Sequence, residues 1–203
     1  MLRVGKIQIS EETYMFKELV DKSRSHREFK SDSTIPREQL EAWILNASHS
    51  PAAMNLQTLK YKIIDTPKGV AELMPITRWA SSLPIKLPPE GHIPSAFIAI
   101  CHDSSIAPLK PIFMIDVGIA AQTIMLSAAE QGFGGCIIGS AAPEKISEVL
   151  ELDNGLEPVL LLGLGVPEDR VVLTPSDGSV TYYRDENNVH YVPKRPLDEI
   201  IID

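Results

Sequence analysis

The sequence predicts one domain in which helices and strands share a single core. Three observations carry this. The chain has 203 residues, 44% of them hydrophobic, which is ample for one core and little for two. Residues 115–131 are apolar nearly all round, with Ile119, Ile124, Met125, Ala128 and Ala129, as a buried central helix is. Residues 96–101, 134–138 and 159–166 are short apolar runs that read as strands beside it.

The other elements follow in chain order. Residues 11–23 set Tyr14, Phe16, Leu19 and Val20 at roughly helical spacing. Thr34-Ile35-Pro36 reads as a helix start, because proline suits the first turn. Leu40, Trp43, Ile44 and Ala47 then form an apolar face, and Pro51 ends the helix. Residues 60–65 alternate loosely and predict a strand. A helix over 69–80 leads into a proline-rich loop at 84–94, and the 66–95 stretch is where mobility and substrate-dependent variation are expected. Gly132 suits the C-terminal cap of the central helix, and residues 143–150 form a short connecting helix. The tail, residues 181–203, has an aromatic-rich start and a helical end. It has too little apolar surface for a domain, so it predicts an arm that packs on something else, such as a second subunit.

Nineteen basic and 27 acidic residues give a net charge of −8. That balance argues against general binding to nucleic acid or anionic membranes, so any anion site must be local. Residues 1–10 are too short and mixed for a secretion signal, and no run is expected to reach the ~18 apolar residues of a membrane helix. Cys101 and Cys136 stand far apart without a C-x-x-C partner, which fits free thiols in a reducing cytosol. His26, His49, His92, His102 and His190 do not pair at metal-ligand spacing, so no metal is expected.

Chemistry is expected in two stretches. Lys22, Arg24, Arg27 and Lys30 form a cationic island with Glu28 as the only acid among them, and Ser25 adds a hydroxyl between the arginines. Arginine's planar fork donates two parallel hydrogen bonds, which suits phosphate; a solvated charged turn has the same composition. Pro51-Ala52-Ala53-Met54-Asn55-Leu56-Gln57 is a small-residue turn with two amide side chains. Asn55 and Gln57 each donate and accept, as the edge of a hydrogen-bonding ring requires; an ordinary loop entering a strand reads the same way. A phosphate bearing such a ring needs both surfaces.

The remaining candidates are weaker. Residues 132–140, rich in glycine, follow a helix and enter a strand, so they are no dinucleotide fingerprint. Their glycines permit close backbone approach, by a ligand or by a neighbouring element alike. Gly163 and Gly165 read as packing glycines. Lys194-Arg195 gains interest only as a partner for the first island. Cys101-His102-Asp103 cannot form a relay, because adjacent strand residues point in alternating directions. Glu144, Glu148 and Glu151 read as a solvated helix surface.

The order of the motifs resembles the FMN-dependent nitroreductase family along nearly the whole chain. It comprises the R-S-x-R-x-F turn at Arg24, then P-A-A-x-N-x-Q, then D-x-G-x-A-x-Q (Asp116, Gly118, Ala120, Gln122). G-F-G-G-C-x-I-G, G-x-G-V-P-E (residues 163–168) and V-P-K-R follow, and the ending Tyr183-Arg184-Asp185-Glu186 with Val189-His190-Tyr191-Val192-Pro193-Lys194-Arg195 is similar to that of small bacterial members. The resemblance implies an α+β fold, a mainly antiparallel sheet surrounded by helices, in an intertwined homodimer with FMN at its interface. It implies that Arg24, Ser25 and Arg27 hold the phosphate and ribityl chain, with Lys194 and Arg195 closing from the tail. Pro51, Ala52, Ala53 and Asn55 would meet the ring from the other subunit, with Gln57 as a further ring contact. Ile138, Gly139 and Ser140 would line its N5 and O4 edge. The chain departs from the pattern at Ser23, where many members have a basic residue. It departs also at Ala52 and Ala53, where many have serines, and at Thr58-Leu59, where many have Pro-Trp.

On this resemblance the activity is a ping-pong, two-electron reduction of nitroaromatics, quinones or similar small oxidants by NADH or NADPH, with the chemistry on the flavin. A flavin store or redox sensor without turnover, and a non-flavin interaction protein on the same dimer fold, are the alternatives.

Overall fold

The structure, a computed structural model, describes residues 11–202. A four-stranded antiparallel sheet organises it, in the order β1 (Leu59–Ile64), β2 (Ala96–Asp103), β4 (Leu156–Gly165), β3 (Gly134–Ile138). The run from Ala96 to Cys101 is buried at every position. An antiparallel strand with one wet face alternates polar and apolar residues, whereas one covered on both faces does not. Both faces are covered here. Ile98, Ile100, Leu162 and Leu164 meet Leu40, Trp43 and Ala47 of α2 (Arg37–Ser48), together with Val117, Ala121, Ile124 and Ala128 of α4 (Pro111–Glu130). Phe97, Ala99, Cys101 and Leu161 meet Val70 and Leu73 of α3 (Pro67–Leu73), Trp79, and Ile146 and Leu150 of α5 (Pro143–Leu150).

α4 is the central helix, and it corrects one expectation. With 20 residues and a hydropathy of 1.7 it is long and apolar enough to cross a membrane by length and composition. The cause is its place between α2 and the sheet, which buries Val117, Ala121, Ile124 and Ala128 in the core. Its outer face leaves Ile112, Met114 and Ile115 exposed. α1 (Glu11–Lys22) lies against α4, with Leu19 and Val20 half-buried and Phe16 exposed. The reading of residues 1–10, and the side chain of Tyr14, lie outside the described residues.

The helix expected over 69–80 is shorter. α3 ends at Leu73, and Met74–Ile76 is a single 3₁₀ turn containing Pro75, which cannot continue an α-helix. A start signal precedes it: the Thr66 hydroxyl caps the helix, accepting from the Gly69 amide at 3.2 Å.

A second sheet was not foreseen. β5 (Val171–Pro175) pairs in parallel with β7 (His190–Lys194), and β6 (Tyr183–Arg184) pairs antiparallel with β7. Residues 183–194 of the tail thus fold onto their own chain. The helical end is present as α6 (Leu197–Ile200), where Leu197, Ile200, Ile201 and Ile202 remain exposed.

Candidate functional site

After α1 the chain crosses the end of the β3–β4 pair. Ser25 forms a bridge with Gly135, and the His26 amide donates to the Gly135 carbonyl at 2.8 Å. Phe29 bridges Pro167, and the Lys30 amide donates to the Val166 carbonyl at 3.0 Å. Close approach needs glycine beneath this turn. A Cβ at Gly165 would stand 2.7 Å from the Phe29 ring, and one at Gly134 would stand 2.6 Å from the His26 ring. The turn is also held from below by charge. The Asp169 carboxylate, 1% exposed, meets His26 Nδ1 at 2.7 Å and accepts from the Arg27 amide at 2.9 Å. Arg184 joins Asp169 to Glu28.

Above this support lies a cavity of about 330 Å³, lined by Ser23, Arg24, Ser25, Arg27, Gln122, Val171, Tyr182, His190, Val192 and Lys194. Arg24 Nη2 donates to the Val20 carbonyl at 2.6 Å, and Arg27 Nη1 to the Ser25 carbonyl at 3.0 Å. Arg27 Nη1 also lies 3.3 Å from His190 Nε2, and its guanidinium sits 5.6 Å from the centre of the Tyr182 ring. Among the described residues, Arg24 Nε, Arg27 Nε and His190 Nδ1 are buried without a partner. Among the described residues no carboxylate pairs with Arg24, Arg27 or Lys194, although the chain is acidic overall. Burial, then the charges of Arg27 and Arg184, push the His190 imidazole down to about 4, so it is neutral near pH 7. Buried donors without acceptors, beside cations without counter-charges, suit a multivalent anion. A phosphate fits this donor set.

Sequence reasoning placed Lys194 and Arg195 together, and the structure separates them. His190, Val192 and Lys194 share one face of β7 and line the cavity. Arg195 lies beyond the strand, where its Nη1 donates to Glu199 at 3.0 Å.

The other predicted stretch borders a second cavity, of about 260 Å³, lined by residues including Pro51, Ala52, Gln57, Thr58, Tyr61, Asp116 and Ala120. Buried Asp116 accepts from the Ala53 amide through both oxygens, at 3.0 and 3.1 Å. Burial and then the Asp116 charge raise the Tyr61 phenol. Met54, Asn55 and Gln57 have φ of 52°, 54° and 50°. Asn55 is exposed and does not line the cavity, and Gln57 Nε2 reaches back to the Asn55 carbonyl at 3.4 Å. One chain does not bring these two cavities together, although α4 borders both, through Asp116 and Ala120 on one side and Gln122 on the other.

Ile138 is buried at the end of β3, with Gly139 and Ser140 exposed just beyond it. At ~3.3 Å per residue they lie roughly 10–17 Å along the chain from Gly135, which touches the cationic turn. The Ser140 hydroxyl is engaged with Arg78, donating to its carbonyl at 2.8 Å and accepting from its amide at 3.2 Å. No thiol competes for a chemical role. Burial pushes the Cys101 thiol up to about 11 and also raises Cys136, whereas a reactive cysteine needs a depressed pKa. His102, next to Cys101, turns to the Ala107 carbonyl at 2.7 Å.

Sequence reasoning missed Asp169 and Tyr182, and quoted Asp116, Gln122, Arg184 and His190 only as motif letters. One signal was available: His190 and Lys194 are four apart in a strand, so they share a face.

The sequence model of the nitroreductase family matches residues 20–90 and 107–166. A Bacillus subtilis (strain 168) protein named as an NAD(P)H nitroreductase, YdgI, is 25% identical over 190 residues, covering 76% of this chain and 89% of its own. The crystal structure of a nitroreductase family protein from Streptococcus pneumoniae TIGR4 superposes with a TM-score of 0.69 at 21% identity, covering 93% of this chain and 99% of its own. A protein from Exiguobacterium sibiricum 255-15, described as a nitroreductase in complex with FMN, gives 0.63 at 22% identity, covering 76% of this chain and 89% of its own. At such identities the structural likeness speaks to the fold.

Proposed function

Since the chain belongs to the nitroreductase family, we propose that it is an FMN-dependent oxidoreductase that uses NADH or NADPH to reduce small flat oxidants such as nitroaromatics or quinones. The observation that carries this reading is the cavity lined by Arg24, Arg27 and Lys194, cationic and without a paired carboxylate among the described residues. Bound FMN would supply the redox chemistry, accepting an electron pair from the nicotinamide and giving it to the oxidant in turn. Arg24, Arg27 and Lys194 would hold its phosphate, with Ser25 as a hydroxyl donor. Ile138 at the end of β3, with Gly139 and Ser140 just beyond it, would border the ring edge. There the backbone N–H groups of Gly139 and Ser140 are the available donors, because the Ser140 hydroxyl is engaged by Arg78.

The Pro51–Gln57 turn would complete the site from a second copy of the chain. Two features support a homodimer: the turn's cavity shares no lining residue with the cationic cavity of its own chain, and large apolar residues stand exposed at the turn, on α4 and in the tail. Met54 is 74% exposed, Ile115 57% and Ile202 96%. Such side chains suit an obligate interface of roughly 2,000 Å² or more. Buried free thiols suit a reducing cytosol.

The test begins with the absorbance of the purified protein. Flavin absorbance that NADH or NADPH bleaches without air, with turnover of a nitroaromatic or quinone on adding the oxidant, is expected. A colourless protein that takes up no FMN overturns the reading. Bleaching without turnover of any oxidant leaves a flavin carrier in place of an enzyme. Sedimentation at micromolar concentration should show a dimer.

A further inference from the structure

His190 stands out among the groups for which no role was expected from the sequence. It is 1% exposed and lies on the face of β7 that lines the cationic cavity. Its Nε2 lies 3.3 Å from Arg27 Nη1. A guanidinium can only donate, so this contact is a hydrogen bond only if Nε2 accepts. The proton of the neutral ring is then on Nδ1, which is itself buried and, among the described residues, without a partner. The groups around the imidazole all disfavour a second proton except one. Arg27 approaches from the turn after α1 and Arg184 from β6, while Asp169, between β4 and β5, acts the other way. The Tyr182 ring lies 5.2 Å from the imidazole on one side and 5.6 Å from the Arg27 guanidinium on another. The Arg170 carbonyl accepts from the His190 amide at 2.8 Å.

We propose that His190 is a positioning residue for the phosphate grip: its neutral imidazole accepts from Arg27 and, with the Tyr182 ring, holds the guanidinium facing the cavity. This rests on the reading of the cavity as the FMN phosphate site. It assigns the small second sheet a task. β7 delivers Lys194 to the anion directly and His190 to the anion's arginine, so one strand sets two of the three cations. A free arginine side chain must be ordered as it binds, and an acceptor already in place removes part of that cost.

The experiment compares FMN with riboflavin, which lacks the phosphate, by quenching of flavin fluorescence on protein freed of flavin. The ratio of the two affinities isolates the phosphate contribution from any general loosening of the fold. Four variants are needed: Arg27→Ala, His190→Gln, His190→Asn and His190→Leu. Glutamine carries its amide to the position of Nε2, and asparagine only to that of Nδ1. Arg27→Ala should lower the ratio at least tenfold. His190→Leu and His190→Asn should lower it about fivefold, while His190→Gln stays within about twofold of the unmodified protein. Should His190→Leu fail to fold, the Gln/Asn pair decides alone: equal ratios for the two overturn the positioning role, and unequal ones in the stated order support it. A ratio unchanged in His190→Leu or His190→Asn while Arg27→Ala lowers it overturns the role of His190 and leaves the phosphate site standing. A ratio unchanged even in Arg27→Ala overturns the phosphate site, and this inference with it.

Discussion

The two cavities bordered by α4 differ in how much of their own support they contain. The cationic cavity is finished within one chain. Its turn is tied to β3 and β4 by backbone hydrogen bonds, braced by the Asp169–Arg184–Glu28 network and roofed by β7. The Pro51–Gln57 turn has one main anchor, the Asp116 carboxylate on the Ala53 amide. Its tip stands in solvent, with Met54 74% and Leu56 37% exposed. A turn with three non-glycine residues at positive φ and an exposed apolar tip is costly for an isolated chain. On the proposed reading, the difference teaches where a second subunit would be needed: for the ring side, not for the phosphate.

The largest expected effect tests the completed side. Arg24→Ala/Arg27→Ala removes two charge-assisted partners worth roughly 1.5–3 kcal/mol each, so FMN affinity should fall by about two to four orders of magnitude. Riboflavin should be little affected, and sedimentation should still show a dimer. If FMN and riboflavin weaken alike, the arginines were holding the fold rather than the phosphate.

Acid offers a second way to separate the two regions, because it acts on the roofing strand. The His190 imidazole titrates near 6.5 in the unfolded chain and about 4 in the folded one. Between those values only the unfolded chain takes up this proton. Its contribution to stability is therefore complete above pH 6.5 and is lost as pH falls toward 4, by about 3 kcal/mol in all. Urea midpoints measured at pH 7 and pH 4.5 should fall further in the unmodified protein than in His190→Gln. Equal falls would mean that other groups account for the acid sensitivity.

The open side is tested through its anchor. Asp116→Ala leaves the Ala53 amide without its acceptor, at a cost of about 1–3 kcal/mol. Because the turn is assigned to the ring, FMN and riboflavin should weaken by the same factor, unlike the result for the arginines. A loss confined to FMN would break the assignment.

How much of this was legible depended on range. The sheet, the central helix and the cationic island are local patterns, and each is written in a few consecutive residues. The strands Ala96–Asp103 and Gly134–Ile138 fall close to where their apolar runs put them. Asp116 was read as a motif letter, because its role depends on an amide 63 residues away. Asp169 was missed for the same reason, bonding across 143 residues to His26. β5, β6 and β7 were missed because each is short and half-exposed, and the longest apolar run among them is the three residues Val171-Val172-Leu173. Their register comes from pairing with one another, which no single segment encodes.

The smallest effects sharpen the comparison within the tail itself. Lys194 and Arg195 are adjacent cations, and composition alone treats them as equals. The strand does not: Lys194 shares the cavity face with His190, while Arg195 is past the last paired residue and turned to Glu199 at 3.0 Å. Lys194 is exposed, so its pull on the phosphate is screened and should be worth about 1 kcal/mol, near fivefold in FMN affinity. The Arg195–Glu199 pair is a solvated contact four residues apart, worth at most about 0.5 kcal/mol to its short helix. Lys194→Ala should thus weaken FMN severalfold and leave riboflavin unchanged, and raising the salt concentration should shrink the gap. Arg195→Ala should leave both flavins within about twofold. Equal losses in the two variants would mean that residues 195–202 swing in when FMN binds, and that the phosphate is not held by the completed side of one chain alone.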